Sequence, residues 1–293
     1  MSLPHVTLIA GPTASGKSRL AMARARETGA VVINADSQQL YADLRVLSAR
    51  PSPEDEAEIP HRLYGVADAA DAWSVGRWSR AVMDLLADLA AEGRPALLVG
   101  GTGLYFNALT KGLAEIPPVP AEIRDTVQAA FEAEGEAAFR RRLAEVDPAA
   151  EAAVFPGDRQ RLVRALSVHR ASGRALSAWK ADTRPLLTPD RYDALVVEPP
   201  RDRLYAACDA RVDMMMAHGA LDDVRALMAR RLDPALPAMK AVGVRELAAH
   251  LTGGLSLRDA VEALKQATRN YAKRQLTWFR NQQKDWPRHP GFA

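Results

Sequence analysis

The chain has 293 residues, is 48% hydrophobic and 26% charged, and carries 39 Lys and Arg against 36 Asp and Glu for a formal net charge of +3. That length predicts roughly two domains of about 150 residues, and the composition excludes a disordered tail, a collagen-like chain and a disulfide-stapled miniprotein. The lone cysteine, Cys208, cannot pair within the chain or build a cysteine zinc site, so a reducing, cytoplasmic compartment is expected, with Cys208 a buried small apolar residue.

In chain order, Val6–Ala10 reads as a short buried strand, too short for the core of a signal peptide. A glycine-bounded loop follows, then a helical pattern from about Lys17 to Glu27 closed by Gly29, then a strand Val31–Ile33 ending at Asn34-Ala35-Asp36. Strand, loop, helix, strand is the signature of a parallel α/β sheet. The acidic, Pro-rich stretch Pro51–Pro60 reads as a loop. Ser79–Glu92 is helical, with Val82, Leu85, Leu86 and Leu89 on one face. Ala96–Val99 is another buried strand and runs into Gly100-Gly101-Thr102-Gly103. The longest charge-free run, Pro95–Thr110, is broken by glycines and too short to span a bilayer, so no membrane partner is expected.

After Lys111-Gly112, Ile116–Pro120 reads as a stiff extended linker, and the pattern is then helical to about Lys180. Leu195–Val197 returns to a strand, stopped by Pro199-Pro200, and the remainder is mostly helical. The predicted fold class is α/β: a P-loop NTPase-like parallel-sheet core, residues 1–113 and 190–293, interrupted by an all-helical insertion, residues 114–189.

Gly11-Pro12-Thr13-Ala14-Ser15-Gly16-Lys17-Ser18 matches G-x-x-x-x-G-K-[ST] at every fixed position, after a strand and before a helix, as a phosphate-binding loop requires. The glycines let the backbone form a nest of N–H donors at a helix N-terminus. Lys17 can reach terminal phosphates, and Ser18 can ligate Mg²⁺ shared with them. The strand Ala96–Val99 ends in glycines without an acid, and no Asn-Lys-x-Asp string exists for guanine, so a hydrolytic motor or switch is disfavoured. In a doubly wound sheet ligands bind at the carboxyl ends of strands. There the phosphate loop should meet Asp36-Ser37-Gln38-Gln39 and Gly100–Gly103. Local sequence suits Asp36 equally as a helix N-cap or as a working carboxylate, and Thr102 equally as a helix cap or a site hydroxyl. A carboxylate facing a polyphosphate can hold Mg²⁺ or act as a general base. P–O cleavage would make a kinase acting on a small molecule or RNA with ATP; C–O cleavage would make pyrophosphate the leaving group.

Positive charge gathers late in the chain. Residues 1–110 hold 10 Lys and Arg against 12 acids, and residues 111–293 hold 29 against 24. Asp158–Gly173 is a predicted helix with Leu162, Ala165, Leu166 and His169 as its inner stripe and Arg159, Arg161, Arg164 and Arg170 off it. Val261–Arg280 sets Lys265, Arg269 and Lys273 on one face and continues through Arg274, Trp278, Phe279 and Arg280. Cations interleaved with Tyr271, Trp278, Phe279 and Trp286 suit RNA, although Trp278 and Phe279 read as core rather than stacking platforms.

Together these strings resemble the tRNA dimethylallyltransferase (tRNA isopentenyltransferase) family. The matching stretches are Gly11–Ser18, Asp36–Tyr41, Ile59–Leu63, Gly100–Tyr105, Asp158–Gly173, Met239–Glu246 and Thr268–Arg280, in order along almost the whole chain. The resemblance implies transfer of a dimethylallyl group from dimethylallyl pyrophosphate to N6 of the adenosine just 3′ of the tRNA anticodon. By similarity Asp36 is the general base and Thr102 supports the reacting amine and carboxylate. The pyrophosphate would lie against Gly11, Thr13, Ala14, Ser15, Gly16, Lys17 and Ser18, with Mg²⁺ on Ser18 and with Arg211 completing the neutralisation. For tRNA the match points to Ser37, Gln38, Gln39, Arg124, Gln160, Arg161, Arg164, Lys240 and Arg245, and the basic helix adds Lys273, Arg274 and Arg280. The target base must leave the anticodon-loop stack, and the insertion would clamp the anticodon stem of a tRNA held by a monomer. Val244 stands where the family often has an aromatic and Ala207 where it often has an arginine, which puts details of tRNA and phosphate contact in question. With a lone cysteine, a zinc finger like the extension of eukaryotic relatives is not expected.

Overall fold

A computed structural model describes residues 4–291. Lys111–Leu186 form one compact unit, and the chain on either side of them forms the other. Both breaks fall three residues before the sequence-based boundaries.

The larger unit is built on six parallel strands: β1 Val6–Ala10, β2 Val31–Asn34, β3 His61–Arg62, β4 Ala96–Gly100, β5 Tyr192–Val197 and β6 Arg288–His289. Their order across the sheet is β3-β2-β4-β1-β5-β6. Parallel strands need crossovers, and helices on both faces let near-continuous apolar strands bury themselves. Side chains alternate between faces with period two. Val6, Leu8, Val31, Ile33 and Leu98 enter one core with α3 (Val75–Ala91), α4 (Gly103–Thr110) and several C-terminal helices, whereas Ile9, Val32, Leu97, Val99 and Val197 enter a smaller core under α1 (Lys17–Thr28). Each fully buried Leu or Ile in these layers contributes about 1.5–3 kcal/mol.

Register places the site. Ala10 at the end of β1 lies level with Gly100 of β4 and Val196 of β5, and Asn34 of β2 lies level with Val99. The three loops that leave β1, β2 and β4 therefore emerge side by side. Trp78 of α3, fully buried and stacked on Tyr105 of α4 at 4.0 Å, donates its indole N–H to the Asn34 carbonyl at 2.9 Å and so pins the end of β2.

Pro51–Pro60 is not all loop: α2 spans Pro53–Glu58, held by a reciprocal cap between Ser52 and Asp55 with Pro53 preset for the first turn. The helix expected from Ser79 begins at Val75, after a Ser74 cap, and buries Trp78 and Ser79 while Leu85 is only half-buried. β3 and β6 are two residues each, too short to leave any periodicity in the sequence.

The insertion contains α5 (Ala121–Val146), α6 (Pro148–Ala153), α7 (Arg159–Ser172) and α8 (Leu176–Ala181). Gly135, with φ 75°, bends α5 into two segments. Val127, Phe139 and Leu143 of α5 pack with Leu162, Ala165 and Leu166 of α7. Asp158 caps α7, and Gly173 closes it in the left-handed conformation. The buried face of α7 is wider than the expected stripe: it includes Val163, Ser167 and Val168, and His169 is half-buried. The larger unit ends with α9 (Arg201–Ala217), α10 (Ala220–Ala229), α11 (Val244–Leu251) and α12 (Leu257–Gln282). Among the described residues no helix is long and apolar enough to cross a membrane.

Candidate active site

The loop after β1 turns twice through left-handed backbone, at Ala14 (φ 60°) and Gly16 (φ 84°). Such a turn gathers N–H groups into an anion-binding nest, and the N–H groups opening α1 have no carbonyl within their own helix to bond. Gly11 must be glycine: a Cβ there would sit 2.8 Å from the Val197 carbonyl. Ser15 is buried with its hydroxyl unpartnered inside this cradle. Lys17, 7% exposed, curls back to donate to the Pro12 carbonyl at 3.1 Å. Burial pulls its pKa down to about 8, a shift that Asp36 opposes and Arg211 reinforces.

Asp36 leaves β2 in a turn that Asn34 shapes. The Asp36 N–H donates to Asn34 Oδ1 at 2.7 Å, and Asn34 Nδ2 donates to the carbonyls of Asp36 and Leu63, both at 3.0 Å. Asp36 Oδ1 accepts from the Gln38 N–H at 3.0 Å. No α-helix follows, so Asp36 closes a turn rather than capping a helix, and the residue is 8% exposed. The Thr102 N–H donates to the Ala35 carbonyl at 3.2 Å. Its Oγ1 accepts from the Ser37 N–H at 2.9 Å and reaches Ser37 Oγ at 3.2 Å. Thr102 therefore braces the chain beside Asp36 rather than bonding the carboxylate itself.

A cleft opens where these loops meet. Thr13, Asp36, Gln38 and Arg211 line it together with Tyr271 and Thr268 of α12, and Leu47, Met215 and Val242 form an apolar wall. Arg211 donates to the Ser48 carbonyl at 2.9 Å. Burial lowers its pKa while Asp36 opposes the shift, and burial followed by the Asp36 charge raises that of Tyr271. The wall is held firmly. Asp223 accepts from the N–H groups of Val46 at 2.7 Å and Leu47 at 2.9 Å, and Gln38 Oε1 accepts from the Val242 N–H at 3.1 Å.

Sequence reasoning missed the wall and Gln275. That side chain, from the middle of α12, accepts from the Thr13 N–H at 2.8 Å and donates to the Gly101 carbonyl at 2.9 Å. The Thr13 N–H is thereby bonded within the protein. A buried glutamine on an otherwise basic helix leaves no local signal of such a contact.

The residues expected to face RNA divide. Arg124, Gln160 and Arg164 line one open groove of the insertion with Val119 and Gln128, whereas Arg161 turns to an ion pair with Asp158. Both amide N–H groups of Gln39 serve its own fold, donating to Ser48 at 3.1 Å and Ala49 at 2.8 Å. Lys240 and Arg245 are exposed at the turn before α11 and on its first residues. The basic face expected on α12 is largely an interhelical seam. Lys265 pairs with Asp213 at 2.7 Å and Arg269 with Asp209 at 2.5 Å, both acids on α9, and Arg280 pairs with Glu198 at 2.7 Å. Among the described residues Lys273 and Arg274 stay exposed with no acid in ion-pair range, and Arg274 lies over Tyr271 at 5.7 Å. Phe279 is fully buried, as expected of core, and Val244 is core too. Cys208 is fully buried with its thiol pushed up to about 11 by burial, which leaves no reactive thiolate.

Among the described residues no cluster of three His, Cys, Asp or Glu could hold a metal. Ser18, exposed at the start of α1, offers one hydroxyl beside the phosphate cradle. A hard cation that arrives on phosphate oxygens and keeps several waters takes few ligands from the protein.

Comparison with known proteins identifies relatives across the same elements. A family profile described as IPP transferase matches residues 39–282, and one described as isopentenyl transferase matches residues 4–69. A tRNA dimethylallyltransferase of Phenylobacterium zucineum is 61% identical over 285 residues, 97% of this chain and 92% of the relative. One of a Caulobacter species is 57% identical over 97% of this chain and 92% of its own length. Among solved structures, a tRNA isopentenylpyrophosphate transferase of Bacillus halodurans superposes with TM-score 0.68 at 30% identity, covering 97% of this chain and 89% of that one. A eukaryotic dimethylallyltransferase studied acting on tRNA superposes with TM-score 0.81 at 26% identity, covering 94% and 70%.

Proposed function

The chain belongs to the IPP transferase family and transfers a dimethylallyl group to tRNA, and on that premise we propose that the loop Gly11–Ser18 holds the pyrophosphate of dimethylallyl pyrophosphate while Asp36 takes the proton from the acceptor amine. The acceptor is N6 of the adenosine 3′ of the anticodon. Its lone pair is delocalised into the purine, so proton removal must accompany attack. The C–N bond forms as the allylic C–O bond breaks. The bonding electrons leave with pyrophosphate, and the N6 proton passes to Asp36.

The observation that carries this reading is the shared cleft: Asp36 lines it with Thr13 of the phosphate loop and with the Arg211 guanidinium. A base and an anion cradle opening on one cavity suit transfer between an anionic donor and a neutral amine. Lys17, the nest N–H groups, the unpartnered Ser15 hydroxyl and Arg211 stabilise the charge that gathers on the leaving group. Ser18 would hold a Mg²⁺ ion brought in on the phosphates, which when bound would supply further charge neutralisation there. The apolar wall of Leu47, Met215 and Val242 suits the hydrocarbon end of the donor. Exposed Lys240, Arg245, Lys273 and Arg274, and the groove of Arg124, Gln160 and Arg164, supply cations for RNA phosphate.

The test is incubation with dimethylallyl pyrophosphate, Mg²⁺ and unmodified tRNA. The expected products are pyrophosphate and an N6-prenylated adenosine in the anticodon loop. Labelling of an acceptor from ATP, with no prenyl transfer, overturns the reading.

A further inference from the structure

Gln275 joins the two sides of the cleft. It is 6% exposed, in the middle of α12. Its Oε1 accepts from the Thr13 N–H of the phosphate loop at 2.8 Å, and its Nε2 donates to the Gly101 carbonyl at 2.9 Å. From Gly101 the chain passes into Thr102, whose N–H bonds Ala35 and whose hydroxyl bonds Ser37, the two neighbours of Asp36. A continuous path thus runs from the donor loop through one carboxamide to the backbone on both sides of the base.

We propose that Gln275 is a positioning residue: its amide clasps the phosphate loop to the Gly101–Thr102 loop and so sets the separation between the leaving group and Asp36. This rests on the functional reading above. A primary amide suits the task because it carries a donor and an acceptor in one plane. Glutamate lacks the donor, and asparagine is one methylene shorter. The surroundings are shaped to admit it. A Cβ at Gly101 would overlap the Gln275 amide, and one at Gly103 would overlap the Trp278 ring, one turn further along α12. The Gly100–Gly103 loop therefore seats on α12 at two points, and only glycine permits either. Direct loop-to-loop bonding also exists, Gly11 N–H to the Gly100 carbonyl at 3.2 Å, but it acts at the strand ends. The clasp acts further out, at the residues that flank the reacting groups. Reactions between two held partners are steep in geometry, and a misplacement of about 1 Å costs on the order of 100-fold in rate.

The test is Gln275→Met, which keeps the bulk and removes both bonds, beside Gly101→Ala, which evicts the amide from the other side. Both are measured in the full-length enzyme with dimethylallyl pyrophosphate and tRNA. For each, kcat per titrated active site is expected to fall about 30- to 100-fold, with affinity for inorganic pyrophosphate within about threefold of the parent. The double variant is expected to lose no more than Gly101→Ala alone, since both variants break the one clasp and only the alanine Cβ also approaches the Asp36 carboxylate, to 3.2 Å. A purely structural role would reduce the amount of folded enzyme and leave kcat per site unchanged. That result, or losses that multiply in the double variant, overturns the proposal. The clasp is also read without turnover. Amide exchange at Thr13 should be slow in the parent and accelerated in Gln275→Met. Unchanged exchange overturns the clasp whatever reaction the parent performs, whereas a parent that forms no prenyl-adenosine instead refutes the functional reading.

Discussion

Lys17 shows how a single residue trades stability for binding. Its ammonium is buried, and burial, reinforced by the Arg211 charge and opposed by Asp36, lowers its pKa to about 8. The unfolded chain holds that proton up to its ordinary value near 10.5. Between the two pH values the unfolded state binds more protons, so stability rises with pH across that window, and the full penalty of burying the charge applies below it. Lys17→Met should therefore raise the melting temperature of the ligand-free protein at pH 7, while abolishing tight pyrophosphate binding. Thermal unfolding with and without pyrophosphate checks both halves. In the parent, pyrophosphate affinity should weaken as pH rises above about 8, because binding must then recharge the lysine; calorimetry in buffers of different ionisation enthalpy would show the proton uptake. Asp36→Asn preserves the turn's acceptor to the Gln38 N–H but removes the base. Turnover should drop about 100-fold or more with pyrophosphate affinity retained, and normal turnover in that variant rejects the assignment.

At the scale of elements, the legibility of the sequence followed the range of the interactions. β1, β2 and β4 are readable because each is an apolar run bounded by turn residues, whereas of β5 only the apolar end Leu195–Val197 is readable and the strand begins earlier, at Tyr192; α7 is readable because Asp158 and Gly173 cap its two ends. Helix α2 is concealed by its composition, in which proline and acidic residues count as loop, whereas by position Pro53 and the Ser52–Asp55 pair are a helix start. The basic face of α12 was overread because the acids that neutralise it lie on α9, at Asp209 and Asp213. A direct consequence is that the cations of α12 are not equivalent. Lys273→Gln should weaken tRNA binding and reduce the slope of log affinity against log salt by about 0.7–0.9. Lys265→Gln, which removes a charge already paired with Asp213, should leave that slope unchanged. Equal effects from the two variants would show that the α9 acids do not screen Lys265.

Across the whole molecule, charge and chemistry are divided between two units. The larger one carries the cleft, and the insertion carries the groove of Arg124, Gln160 and Arg164. Arg164→Ala should raise KM for tRNA about three- to tenfold, as loss of one phosphate contact does, with pyrophosphate affinity unchanged. A parallel loss of donor affinity would mean that the groove arginine supports the core rather than the RNA. The sequence by itself determined the phosphate loop, the α/β order, the helical interruption and the family, because each is written in near neighbours or in strings of fixed spacing. Only the tertiary structure decided that Thr102 braces Ser37 rather than the carboxylate, that three basic side chains of α12 are already paired, and that Gln275 ties the cleft together. Thr13 and Gln275 are 262 positions apart. No periodicity or turn preference links residues at that distance; what brings them together is the packing of α12 beside the ends of the central strands.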